Sequence, residues 1–414
     1  MHLNKVLIIG TVWPEPNSTA AGSRLIQIIE QFQIHNFEVV FSSTACFGEF
    51  SFNLNSINVK TVLIELNNAS FDTFILDLQP TVVVFDRFMI EEQFGWRVAT
   101  FLPNCLRILD TEDLHFIRNS RLENFKKNKI STDIDYLNSD LAKREIASIY
   151  RCDVSLIISE IEINILIHVF RIDKQILFYL PFLLPIIKDY EMEELQNFSD
   201  RNHFMTIGNF RHEPNWNSVL YLKETIWPLI KLQIPEAEIH IYGSYITKKA
   251  LDLHNSKEGF LVKGRAENAF DVIRKSRILL APLRFGAGIK GKLTDAMQCG
   301  TPSVTTTIGA EAMNGNLDWN GLITDNPIQF AKAAVDLYTN KDYWEKAQKN
   351  GFEILKLRFN KEILGQIFIN KIIEVQIDLL NHRTKNFIGE MIQTQMLKST
   401  KYMSKWIEEK NKIK

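Results

Sequence analysis

Apolar residues along this chain follow two rhythms. Continuous runs read as buried strands: VLIIG (Val6–Gly10), FEVVFSS (Phe37–Ser43), TVLIEL (Thr61–Leu66), TVVVFD (Thr81–Asp86), LRILD (Leu106–Asp110) and VSLIIS (Val154–Ser159). Between most of them lie helix-like stretches. Leu25, Ile28, Ile29 and Phe32 sit at i, i+3, i+4, i+7, and Ser139–Tyr150 is the clearest such segment. The alternation restarts after Asp200 with FMTIG (Phe204–Gly208), a helix over Asn215–Leu232, then EIHIYG, FLVKG and ILLAPL as strands. Helices are predicted near 246–254 and 266–276, and PSVTTT (Pro302–Thr307) as a further strand. Continuous apolar strands separated by helices imply parallel sheets covered on both faces. The pattern therefore predicts two doubly wound α/β domains, 1–185 and 200–345, joined by the proline-bearing stretch Leu180–Asp200. After Asn326 only helical patterns remain. Phe359–Leu380 and Asn386–Lys412 read as long helices, and the segment 346–414 is expected to cross back toward the first domain.

A length of 414 residues suits two domains. The net charge of −1 gives no general bias toward nucleic acid, and no nucleic-acid partner is expected. The charge is uneven, however. Arg383–Lys414 holds eight Lys/Arg against three Glu, a net of +5. With Phe387, Met391, Ile392, Met403, Trp406 and Ile407 interspersed, this tail would either pack on the body or lie on a membrane surface. The four cysteines are far apart, with no zinc or disulfide spacing, which suits a reducing cytoplasm. MHLNKVLIIG is too short and polar for a signal peptide. The most apolar run, Ile176–Ile187, has 12 residues and two prolines, short of the roughly 20 needed to cross a bilayer. These features predict a cytoplasmic protein, with peripheral membrane contact through the tail as the alternative to packing.

Chemistry concentrates in Ala281–Val304, APLRFGAGIKGKLTDAMQCGTPSV. A glycine-rich turn leads into a helix, and Lys290 and Lys292 stand where the helix begins. A helix N-terminus repels cations, so the two lysines imply a bound anion between them and the turn. Glycines Gly286 and Gly288 would bring backbone amides close to a phosphate. Asp295, one turn later, is near enough to accept from a ribose hydroxyl. The stretch also matches G-x-G-x-x-G literally, but three features argue against a dehydrogenase. The turn follows the fourth strand of its domain, Glu311 lies beyond the end of PSVTTT, and a dinucleotide site does not require Lys290.

This stretch resembles the donor site of GT-B glycosyltransferases, especially the large retaining group sometimes called family 4. That group shows E-x7-E followed by A-M-x-x-G-x-P. Here Asp295-Ala296-Met297 through Gly300 and Pro302 matches the second half, with Asp295 for the second glutamate and Ala287 in place of the first. Some members similarly carry GxGxK without the first glutamate. The resemblance implies two Rossmann-like domains facing a cleft, with C-terminal helices. It implies donor contacts from Gly286, Ala287, Gly288, Lys290, Lys292 and Asp295. By the same resemblance, Gly208 and Arg211 in GNFRHEPNWNSV lie on the opening donor loop, the backbone at Lys263 reads the base, and Glu311 sits near the donor. Gly22-Ser23 would face the donor phosphates from the first domain, with Arg24 binding an anion; the alternative is a plain helix start capped by Ser18 or Thr19. In ILDTEDLH, Asp110, Glu112, Asp113 and His115 are acceptor-side candidates, with Lys290, Arg211, His115 and Asp110 as the catalytic set. Glu145 reads as a surface ion-pair former.

The implied activity moves a sugar from a nucleoside diphosphate to a hydroxyl of a glycan, lipid-linked or small-molecule acceptor. The resemblance implies retention, no metal and no cofactor beyond the nucleotide-sugar substrate. A sugar-nucleotide epimerase of the same fold and a non-catalytic nucleotide- or glycan-binding protein are the alternatives.

Overall fold

A computed structural model describes residues 4–412. The first three and last two positions, which the expected first domain and tail include, lie outside the described residues. Among those described are two all-parallel sheets. The first orders seven strands β3-β2-β1-β4-β5-β6-β7: β1 Lys5–Gly10, β2 Glu38–Ser43, β3 Lys60–Leu63, β4 Val82–Asp86, β5 Leu106–Asp110, β6 Val154–Ile157 and β7 Leu177–Tyr179. The second orders six strands β10-β9-β8-β11-β12-β13: β8 Asn202–Ile207, β9 Ile239–Tyr242, β10 Phe260–Gly264, β11 Ser276–Ala281, β12 Ser303–Thr305 and β13 Gly321–Ile323. β1, β4 and β5 are buried along almost their whole length, because helices cover both faces of the sheet.

Two short strands were not expected. β7 begins the apolar run Ile176–Ile187, and β13 is only three residues long, too brief to leave a periodic signal. The helix predicted over Asn215–Leu232 is present, but its middle, Leu222–Ile226, widens to π geometry. The helices predicted near 246–254 and 266–276 shorten to Lys248–Leu251 and Ala269–Lys275.

The C-terminal helices divide between the two sheets. Lys341–Arg358 buries Trp344 and Ala347 against the second. Lys361–Ile377 buries Phe368, Ile369, Ile372 and Val375 in the core of the first, with Phe368 edge-on to Phe32 at 5.4 Å. Phe387–Lys412 lies along the helices Asp140–Arg151 and Phe88–Phe101. There Arg97, 1% exposed, joins it through Ser404 at 3.0 Å and through Glu408, while also pairing with Asp72 at 2.7 Å.

Each sheet reverses its strand order once, between β1 and β4 and between β8 and β11. Loops leaving the carboxyl ends there diverge and open a crevice. The two crevices face each other.

Candidate active site

The loops after β1, β4, β5, β8 and β11 enclose an interdomain cleft of about 370 Å³. Its second-domain wall is the glycine turn. Gly286 has φ +141° and Gly288 φ +64°, conformations a side chain would strain. Lys290 is the N-cap of the helix Gly291–Gln298. Its Nζ donates to the carbonyls of Ala287, at 3.1 Å, and Gly288. Lys292 Nζ donates to Asn215 Oδ1 at 2.8 Å. It also lies where a Cβ on Gly208 would fall, 2.9 Å away, so Gly208 keeps room for the ammonium. Burial lowers the Lys292 ammonium to about 7 and raises the Asp295 carboxyl to about 7. Gly208, Gly286, Ala287, Gly288, Lys290, Lys292 and Asp295 all line this one cleft.

The other expected residues are placed differently. Arg211, expected in the catalytic set, is exposed and does not line the cleft; its guanidinium lies 3.9 Å over the Tyr245 ring. Lys263 projects from β10 and does not line the cleft; Arg265, two residues on, does. Glu311 is paired with Arg121 of the first domain at 2.7 and 2.8 Å. Gly22 is buried behind the wall, its amide capped by Thr19 at 3.0 Å and its Cβ position filled by the backbone of Glu15. Arg24 is not free for an anion. It is 1% exposed, paired with Asp110 at 3.1 Å and bonded to the carbonyls of Leu180 and Pro181.

On the first-domain wall, Arg87, Glu112, Asp113 and Arg118 line the cleft. Asp110, at the end of β5, lies beneath them, and burial pushes its carboxyl up against the opposing pull of Arg24. His115 begins the helix His115–Lys126. Burial, reinforced by the Arg118 charge, lowers it to about 4, so its ring is neutral at neutral pH. Asp113 pairs with Arg118 at 2.7 Å and sits 2.8 Å from where a Cβ on Gly288 would lie. Glu145 is not on the surface. It is 1% exposed and accepts from the amides of His115 and Phe116, both at 3.0 Å, anchoring the start of that helix. Among the described residues, no group of three or more His, Cys, Asp or Glu is arranged to hold a metal ion.

Sequence reasoning missed four residues. Arg87, in the D-R-F that ends β4, adopts φ +74°, held by its amide to Asp110 O at 2.8 Å. Arg118 and Arg121 share one helix face at i, i+3. Glu162 accepts from Gly288 N at 2.9 Å, and its other oxygen has no hydrogen-bond partner. Of these, only the position of Arg87, directly after a strand, carried a sequence signal.

Residues 201–340 match the family model of glycosyl transferases group 1. That match falls on the second sheet, which is therefore similar to group 1 glycosyltransferases, and the two facing sheets give the chain the GT-B fold. A curated relative, an uncharacterized 44.6 kDa protein in the cps region of Klebsiella pneumoniae, is 23% identical over 199 residues. That alignment takes in 46% of this chain and spans only half, 50%, of the relative's length. Two solved structures share the fold. Sucrose-phosphate synthase from Thermosynechococcus elongatus has a TM-score of 0.67 at 12% identity, over 90% of this chain and 99% of its own. HepE from Anabaena, solved with UDP and glucose, has a TM-score of 0.64 at 10% identity, again over 90% and 99%.

Proposed function

We propose that this protein transfers a glycosyl unit from a nucleoside-diphosphate sugar to an acceptor hydroxyl, with retention and without a metal ion, in surface-polysaccharide or other glycan synthesis. The observation that carries this reading is the pair Lys290 and Lys292 at the start of the helix Gly291–Gln298, both facing the interdomain cleft. An ammonium has three N–H donors. Two of those on Lys290 meet turn carbonyls, which leaves the third for a phosphate oxygen. As the bond from the anomeric carbon to the diphosphate oxygen breaks, its electron pair stays on the diphosphate. The acceptor oxygen forms the new bond on the same face, and its proton passes to the departing phosphate. Lys290, and Lys292 in its charged form, stabilise that growing charge. The solved HepE complex with UDP and glucose is consistent with a donor of this kind.

Replacing Lys290 by Ala is expected to lower turnover about a hundredfold while nucleotide affinity falls less, measured by nucleoside-diphosphate release and by calorimetry. Unchanged turnover would overturn the assignment. A thermal-shift panel of UDP, GDP, ADP and CMP identifies the base, since only a bound nucleotide raises the melting temperature.

The tail favours a second reading, of where the enzyme works. Phe387, Met391, Tyr402, Met403 and Trp406 are exposed on the helix Phe387–Lys412, with Lys405 and Lys410 among them. Such a face suits a membrane surface that presents a lipid-linked acceptor. No described helix is long and apolar enough to cross a membrane. Co-sedimentation with anionic vesicles, lost in a Tyr402→Ser/Trp406→Ser variant, is the expected result. Equal sedimentation of both proteins would refute this face.

A further inference from the structure

The glycine turn belongs to the second domain by sequence, but the first domain holds it in place. Arg121 Nη1 donates to Gly286 O at 2.8 Å while the same guanidinium forks onto Glu311. Glu162 Oε1 accepts from Gly288 N at 2.9 Å. Between these grips, Ala287 packs against the first domain's apolar core. Asp113 and Ile158, also of the first domain, close in on Gly288. The carbonyls that this clasp orients, those of Ala287 and Gly288, are the ones that hold Lys290 Nζ. Gly288 N–H, spent on Glu162, is therefore unavailable to a phosphate, and the turn acts through Lys290 and Lys292 rather than through that amide.

We infer that Arg121 and Glu162 are positioning residues: they shape the turn Gly286–Gly288 from the opposite domain, so that Lys290 reaches its working position only when the two domains meet. This rests on the transferase reading above for its kinetic consequence, but not for its geometry. Glu162 is 2% exposed, and one of its oxygens has no partner. Burial, together with the Asp113 charge, pushes its carboxyl up to about 8, so at neutral pH it acts as a neutral acceptor for Gly288 rather than as a buried anion. Gln can play the same part; Ala cannot. Arg121 is a fork that binds one carboxylate through two nitrogens and a carbonyl besides. Lys, with a single nitrogen, cannot reproduce that geometry.

The test uses the full chain and four variants, Arg121→Ala, Arg121→Lys, Glu162→Ala and Glu162→Gln. Hydrogen exchange of the peptide spanning 283–292 is measured alongside donor kinetics. Arg121→Ala, Arg121→Lys and Glu162→Ala are expected to speed exchange in that peptide while other core peptides stay protected. The same three should lower kcat about tenfold to a hundredfold with little change in the donor KM, since a small misplacement of a charged group is costly. Glu162→Gln is expected to keep slow exchange and most of the turnover. Wild-type exchange and kcat in folded Arg121→Ala and Glu162→Ala would overturn the clasp. Equal loss in Glu162→Gln and Glu162→Ala would also overturn it. If the wild-type chain transfers no sugar, the transferase reading fails while the exchange arm still decides the clasp.

Discussion

Lys292 illustrates how placement changes a residue's chemistry. Buried beside Asn215, its ammonium is lowered to about 7, so near neutral pH it is only partly charged before any ligand arrives. A diphosphate binds the charged form. The contribution of Lys292 to affinity is therefore present below pH 7 and declines above it, by up to about tenfold per unit. Titration of UDP between pH 6 and 9 should show this decline, and Lys292→Met should lack it; identical slopes would exclude Lys292 from the site. Arg87 is a second case. Its positive φ costs on the order of 1–3 kcal/mol, and it stands at the cleft wall with its amide tied to β5.

Among elements, the helix His115–Lys126 matters most to the cleft, because it carries both Arg118 and Arg121. Its first residue has no side-chain cap from Leu114, and Glu145 supplies the acceptors instead, from the middle of another helix. Removing that carboxyl, which burial pushes up to about 8, leaves two amide donors unpaired and opens a void. Each effect costs roughly 1–3 kcal/mol. Glu145→Ala is expected to lower the first domain's melting transition by about 10 °C. It should also weaken turnover through Arg121. A melting curve that overlays the wild type would show that the helix start is held by something else. The amphipathic pattern of the helix Asp140–Arg151 was legible in the sequence. That its Glu145 faces inward was not, because a lone glutamate on a helix carries no mark of what covers it.

At the scale of the whole molecule, the chain returns to its beginning. Arg383 spans Asp153 at 2.7 Å and the carbonyl of Cys105 at 2.8 Å, and Arg97 joins the last helix to Asp72. Ending the chain after Asp378 strips Asp153 of Arg383 and Arg97 of Ser404 and Glu408, and bares the helices Asp140–Arg151 and Phe88–Phe101. Calorimetry is expected to show the first domain's transition falling well below the second's, which should hold its temperature. Two unshifted transitions would mean the tail is an appendage.

By itself the sequence determined the period of its elements, and with it two parallel sheets flanked by helices and a glycine turn with two lysines at a helix start. Those are local properties, written in side-chain size, backbone freedom and spacing. Tertiary structure alone decided which polar residues face the cleft. Arg24 and Asp110 neutralise each other beneath the floor, and Glu311 is taken by Arg121. Glu162 reaches across from a helix more than a hundred residues away in sequence to hold Gly288. A buried charge settles with whichever partner the packing brings within reach, and that pairing depends on distances in space that sequence spacing does not encode.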